Sequence, residues 1–128
     1  MTNDYRFVEI LFGIIRTGAV ATPVNIKLGP DTLSYIANYS DAKLIFTDLE
    51  MKDKALLMRN SSAEIQKVYV AGQQSSDNDS FSYDSAISDM ESKFSTIEVE
   101  PDDPAMMMYT SGSTGKPKGC LLSTSLEK

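Results

Sequence analysis

Met107-Met108-Tyr109-Thr110-Ser111-Gly112-Ser113-Thr114-Gly115-Lys116-Pro117-Lys118-Gly119 sets an apolar run directly before a polar loop. From Thr110 to Gly119 the loop holds four hydroxyls, three glycines, two lysines and no acidic residue. Each of these residue types has a physical reason to lie near phosphate. Glycine lets the backbone take left-handed conformations and approach an anion without a Cβ in the way. Successive backbone N–H groups then form an anion-binding nest. Hydroxyls donate hydrogen bonds to phosphate oxygens, and lysine adds charge-assisted ones worth about 1.5–3 kcal/mol net each when well placed.

A Walker A loop is excluded by spacing. That motif needs glycine, four residues, then Gly-Lys-Ser/Thr. Five places after Gly112 stands Pro117, five after Gly115 stands Cys120, and Pro117 follows Lys116. A Walker loop also opens into a helix, whereas Cys120-Leu121-Leu122 reads as a strand. The dinucleotide Gly-x-Gly-x-x-Gly pattern is absent as well. Composition alone leaves open a plain glycine-rich turn between two strands. Two lysines set around a proline, in a chain of formal net charge −6, favour an anionic ligand.

Working towards the N-terminus, Ala105 to Tyr109 is an apolar strand, introduced by the break Pro101-Asp102-Asp103-Pro104. Met106-Met107-Met108 and Cys120 read as buried core. A weak helix is predicted from Tyr83 to about Lys93. Residues 72–80, Gly-Gln-Gln-Ser-Ser-Asp-Asn-Asp-Ser, read as a polar, turn-rich surface loop, a tolerated insertion rather than a binding element. Lys67 to Ala71 is a short strand. Asp48 caps a helix with Met51, Ala55 and Met58 at helical spacing, and Leu44-Ile45-Phe46 is a strand apolar on both faces. Ser40-Asp41 ends a helix whose face is Leu33, Ile36 and Ala37, with Asp31 or Thr32 near its start after Gly29-Pro30.

Ala19 to Val24 reads as a buried strand or extended connector. The first helix buries Phe7, Ile10, Leu11, Ile14 and Ile15, with Asn3 or Asp4 at its cap and Gly18 at its stop. Gly13 within it implies close packing against a neighbour. The alternation predicts an α/β fold, a layered, mostly parallel sheet flanked by helices.

Met107 to Gly119, unbroken, resembles the signature of the AMP-binding, adenylate-forming superfamily: acyl-CoA synthetases, peptide-synthetase adenylation domains and luciferases. Arg6-Phe7-Val8-Glu9 through Gly18-Ala19-Val20, Pro23-Val24-Asn25, Leu33-Ser34-Tyr35-Ile36, Asp41-Ala42-Lys43-Leu44-Ile45 and Pro101 to Ala105 are similar to other parts of the same family. The resemblance implies that residues 1–128 are a partial N-terminal adenylation domain. In the family this loop closes over the β- and γ-phosphates of ATP. A carboxylate attacks the α-phosphate to give an acyl-adenylate, and a thiol, commonly that of coenzyme A, takes the acyl group with Mg²⁺ assisting.

Carried over by resemblance, Thr110, Ser111, Ser113 and Thr114 contact phosphate through hydroxyls. Gly112 and Gly115 give close backbone approach, Lys116 supplies charge, and Lys118 belongs to the signature with either a binding or a structural role. The family's adenine and ribose motifs, acidic Mg²⁺ ligand, carboxylate pocket and mobile C-terminal domain with its catalytic lysine lie downstream and have no counterpart in these 128 residues. The expectation is an incomplete ligase, inactive alone, with ATP and a carboxylic acid as ligands of the intact enzyme and a complementing C-terminal segment as partner. A non-catalytic phosphate-binding module, half of a split ligase and a truncated remnant are the alternatives. A partial sheet leaves edges and an apolar face without partners, so the isolated chain is expected to be marginally folded or to self-associate.

Composition narrows the rest. An acidic chain without a basic run is repelled by nucleic acid and by anionic membranes. No apolar run approaches the roughly 18 residues of a membrane span. One cysteine allows no internal disulfide and suits a reducing, cytoplasmic compartment. With no histidine, His-based metal sites and Ser-His-Asp catalysis are excluded, and no metal ligand or catalytic residue is expected here.

Overall fold

The computed structural model describes residues 1, 4–110 and 116–125. It divides into two compact units, one of Met1–Asp4 and Ile26–Ser92, the other of Tyr5–Asn25 and Lys93–Lys128. The Asn3 cap position lies outside the described residues.

The second unit begins with α1 (Tyr5–Arg16). It stops where glycine permits it, with Gly18 at φ 71°. Arg16, in the last turn, is tied to the strand-less segment before the hairpin. Its Nε donates to Thr96 Oγ1 at 2.9 Å, its guanidinium lies over the Phe94 ring, and its carbonyl accepts from Ile97 N at 3.0 Å. The helix was expected to bury an apolar face. No residue of α1 is fully buried, and Phe7 is exposed. Gly13 meets nothing within 4 Å of a built Cβ, so close packing does not account for it.

In the first unit, α2 (Pro30–Tyr39) starts with Gly29 extended, Pro30 at its first position and Asp31 in the first turn, each suited to a helix N-terminus. Leu33, Ile36 and Ala37 are its buried face, as the spacing predicts. Asp41, at φ 52°, turns the chain into β1 (Leu44–Asp48). Asp48 Oδ1 accepts from Met51 N at 3.0 Å and starts the turn into α3 (Lys52–Ser61). β2 (Lys67–Ala71) pairs in parallel with β1 in register Leu44↔Lys67 to Asp48↔Ala71, and β3 (Phe81–Ser82) pairs in parallel with β2.

The core of this unit sits on the face where Val68 and Val70, fully buried, meet Ala55 of α3, with Ile45 and Leu56 packed around them. The opposite face is open: Leu44 is exposed and Phe46 only half-buried, so β1 is not covered on both faces as its run of apolar residues suggests. α4 (Tyr83–Ser88) is capped by Ser82, whose side chain accepts from Ser85 N. It ends well short of Lys93 because a serine- and aspartate-rich sequence offers its backbone competing local bonds, as Ser88 Oγ to Ser85 O shows at 2.8 Å.

Residues 72–80 join β2 to β3 without a helix. Parallel neighbours usually need a longer crossover, and here a polar network holds the short one in place. Asp77 Oδ1 accepts from Asp79 N at 3.0 Å and Ser80 N at 2.7 Å, while Asp77 Oδ2 pairs with Lys52 Nζ at 2.7 Å. Ser80 Oγ, fully buried, lies 3.0 Å from both Gln73 Oε1 and Asp77 Oδ1, its one proton serving either. Ser82 Oγ donates to Gln73 O at 2.6 Å. Lys52 and the two backbone N–H groups hold the Asp77 carboxyl well below the usual carboxylate range.

Candidate active site: a lysine-bearing hairpin tip

In the second unit, β4 (Pro104–Thr110) and β5 (Lys118–Ser123) form an antiparallel hairpin. Its last pair is Thr110↔Lys118, preceded by Tyr109↔Gly119 and Met108↔Cys120. Thr110 and Lys118, eight positions apart in the sequence, are thus held directly opposite each other. The connection between them, residues 111–117, is longer than the roughly two to five residues of an ordinary hairpin loop. A tight turn does not account for it.

β4 is fixed on both sides. Ala21, buried, donates its N–H to Ala105 O at 2.9 Å and accepts from Met107 N at 2.8 Å, forming a one-residue parallel bridge. The run from Ala19 to Val24 is therefore an extended connector with a single strand-like contact. The base of the hairpin, at the end away from the tip, is clasped too. Thr124 N donates to Asp103 O at 3.0 Å, and Thr124 Oγ1 lies 2.9 Å from the carbonyls of Glu100 and Pro101. Asp103 Oδ2 accepts from Glu100 N at 2.8 Å and closes the turn before β4. A rigid ribbon presenting its tip is the arrangement that positions a binding loop accurately.

Of the residues assigned to phosphate contact, Thr110 ends β4, Lys118 begins β5, and Lys116 stands exposed in the connection. Ser111, Gly112, Ser113, Thr114 and Gly115 lie outside the described residues. Thr110 Oγ1 reaches Lys118 O at 3.5 Å, at the long limit of a hydrogen bond. Between Asp103 and Glu127 the sequence has no acidic residue, so the tip carries two cations and no internal counter-ion. At Gly119 a Cβ would meet Met107 Sδ at 3.4 Å and the Tyr109 ring at 3.5 Å, ordinary contact distances, so Tyr109 packs across the strand against Gly119.

Two expectations for this hairpin are corrected. Cys120 is exposed, not core, and Met108, Leu121 and Leu122 are also exposed. Met106 and Met107 are half-buried. A two-stranded ribbon has two faces and too little material to cover both, which the apolar run in the sequence does not reveal. Sequence reasoning gave no role to Ala21 or Thr124 in holding the hairpin. The apolar run ending at Pro23 was the available signal for the first.

Among the described residues, no group of three or more histidine, cysteine, aspartate or glutamate side chains is placed to hold a metal. No described helix is long and apolar enough to cross a membrane.

Comparison with known proteins gives the family. The model of the AMP-binding enzymes matches residues 1–125. Surfactin synthase subunit 3 of Bacillus subtilis is 35% identical over 109 residues, 85% of this chain and 7% of that protein. Sulfoacetate–CoA ligase of Cupriavidus necator is 34% identical over 124 residues, 95% of this chain and 23% of the ligase. Among solved structures, the anthranilate CoA ligase AuaEII in complex with anthranoyl-AMP superposes with a TM-score of 0.87 at 23% identity, over 94% of this chain and 23% of its own. That likeness establishes a shared α/β fold. The chain thus spans about a quarter or less of the length of these proteins, and it belongs to the AMP-binding enzyme family.

Proposed function

We propose that this chain supplies the polyphosphate-binding part of an ATP-dependent acid–thiol ligase. The observation that carries the reading is the pairing of Thr110 with Lys118, which pins both ends of a long lysine-bearing loop in a family of AMP-binding enzymes. In the reaction, a substrate carboxylate oxygen attacks the α-phosphorus of ATP. The new C–O–P bond forms as the α–β bridging P–O bond breaks, and pyrophosphate leaves. A thiol, that of coenzyme A by analogy with the ligase relative, then attacks the acyl carbon. AMP departs and the thiol proton passes to solvent.

The residues of this chain act on the leaving group. Negative charge accumulates on the β- and γ-phosphates as the bridging bond breaks. Lys116, the hydroxyls of Thr110, Ser111, Ser113 and Thr114, and the amides around Gly112 and Gly115 are suited to stabilise it. Lys118, in register with Thr110, keeps the loop ends together and adds a second cation. Mg²⁺ would arrive with the nucleotide, since residues 104–126 contain no carboxylate side chain. The acid pocket is not encoded in these residues, and the exposed Cys120 thiol suits a reducing cytoplasm.

The exposed apolar residues of both units favour one variant of this reading, a part that works only beside further ligase polypeptide. Carboxylate-dependent ATP–pyrophosphate exchange tests it. The chain alone is expected to give none. The chain joined to the complementary part of a related ligase is expected to give exchange that Lys116→Ala reduces about tenfold or more. Unchanged exchange in that variant would remove the lysine from the site.

A further inference from the structure

A hairpin's register is set by its turn or by a buried face. At the tip of this hairpin the first is missing and the second is weak. The connection at residues 111–117 is too long for a turn type to dictate the pairing. Making it one residue longer or shorter changes the entropy of closing it negligibly. Every residue of β5 is exposed, so a slip takes no side chain of that strand out of a core. One side-chain contact discriminates, the Tyr109 ring over Gly119. A slip by one residue would set Thr110 against Pro117 or Gly119 and turn Lys118 to the other face of the ribbon.

The base is built differently. Pro104 pairs with Ser123 and Met106 with Leu122, so Ala105 is the extra residue of a bulge. Ala21 grips β4 at this point, donating to Ala105 O at 2.9 Å and accepting from Met107 N at 2.8 Å. Thr124, one residue past the end of β5, grips the other strand. Its N–H donates to Asp103 O at 3.0 Å, and its hydroxyl, with one proton to give, lies 2.9 Å from the carbonyls of Glu100 and Pro101. Ser125 N donates to Pro101 O at 2.9 Å. The turn that receives these bonds is itself closed, Asp103 N donating to Glu100 O at 3.0 Å and Asp103 Oδ2 accepting from Glu100 N at 2.8 Å. A slip of β5 by one residue, about 3.4 Å along the strand, would carry every one of these donors out of reach.

We infer that Thr124 is a positioning residue for the phosphate loop. Its hydroxyl and amide fix where β5 lies against β4. They thereby fix which residues flank the loop and which face of the ribbon Lys118 occupies. The functional consequence rests on the phosphate-binding reading above, whereas the setting of the register does not. Thr124 stands at the far end of β5 from Lys118 and acts through the ladder between them.

The test compares the full chain with three variants. Thr124→Val keeps the shape and loses the hydroxyl, and Thr124→Ser keeps the hydroxyl. Ser123→Ala removes a neighbouring hydroxyl that reaches only Ser125, at 3.2 Å from its carbonyl. Two quantities are read: cross-strand nuclear Overhauser contacts, and pyrophosphate affinity from amide shifts at the tip. Thr124→Val is expected to show a second set of strand pairs displaced by one residue from Met108–Cys120 and Thr110–Lys118. It is expected to bind pyrophosphate about fivefold or more weakly. Thr124→Ser and Ser123→Ala are expected to match the parent in both. Parent register and parent affinity in Thr124→Val would overturn the proposal, and so would weakened affinity at unchanged register. A loss in Thr124→Ser or Ser123→Ala equal to that in Thr124→Val would overturn it too. If Thr124→Val does not fold, hydrogen exchange in the parent decides. The amides of Met107 and Thr124 are expected to be protected about tenfold or more beyond any of Tyr109, Thr110, Lys118 and Gly119, and a tip as protected as the base would overturn the proposal. A parent chain that binds no pyrophosphate would sink the phosphate reading, and the strand contacts would still decide the register.

Discussion

The loops at 72–80 and 110–119 are built from similar residues and put them to opposite uses. Both are rich in hydroxyl side chains, and both stand at the end of a strand. The first has its acids inside it. Asp77 gathers two backbone N–H groups, the Ser80 hydroxyl and Lys52, while Asp79 faces Arg59 at 3.5 Å. No buried side-chain polar atom among the described residues lacks a partner. The second has cations and hydroxyls but no acid from Pro104 to Leu126. A loop that satisfies its own donors is structural. A loop whose cations have no acid of their own is suited to an anion from outside.

Several substitutions break or sharpen this contrast, in falling order of effect. In a chain–ligase fusion, Lys116→Glu is expected to reduce ATP–pyrophosphate exchange about 100-fold, because it both removes a charge-assisted bond and repels phosphate. Asp77→Ala in the same fusion is expected to leave exchange within about twofold. A large loss there would erase the distinction between the loops. For stability the ranking reverses. Ser80→Ala removes a buried hydroxyl from the first loop and is expected to cost about 1 kcal/mol, read by denaturant titration of the fusion. Lys116→Ala, exposed at the hairpin tip, is expected to stay within about 0.5 kcal/mol.

The smallest effect concerns acid. Lys52 and the Asp79 and Ser80 amides depress the Asp77 carboxyl in the folded chain below its ordinary 3.8. The unfolded chain therefore binds the proton first as pH falls. The contribution of this carboxylate is fully present above the ordinary value and is lost as pH drops through the folded one. Because the side chain is half-exposed, solvent screens the pairing and the effect is modest. Protection of the Ser80 amide, taken relative to its intrinsic exchange rate at each pH, is expected to fall in acid in the parent chain and to show a flatter pH dependence in Asp77→Asn. Identical pH profiles would place the loop's order elsewhere.

The same contrast marks what the amino-acid sequence reveals. Leu33, Ile36 and Ala37, Ala55 and Met58, and the strand Lys67–Ala71 are legible because period and punctuation agree with burial. The apolar run from Leu44 and the Met106–Met108 and Cys120–Leu122 runs are legible as strands, but not as half-uncovered ones. An apolar residue looks the same whether or not its cover belongs to the chain. The network in 72–80 is invisible because composition does not say which aspartate meets which serine. At the candidate site the residue types were readable from Thr110 to Lys118. The clasps made by Ala21 and Thr124 were not, since a bond to a distant backbone carbonyl leaves no pattern in the sequence.

Pyrophosphate titration of the chain itself, followed by backbone amide resonances, tests the central claim most directly. The account predicts that shifts at millimolar pyrophosphate are confined to residues 110–119, with Asp77 to Ser82 unmoved. No response at the hairpin tip, or a response centred on 72–82, would contradict it.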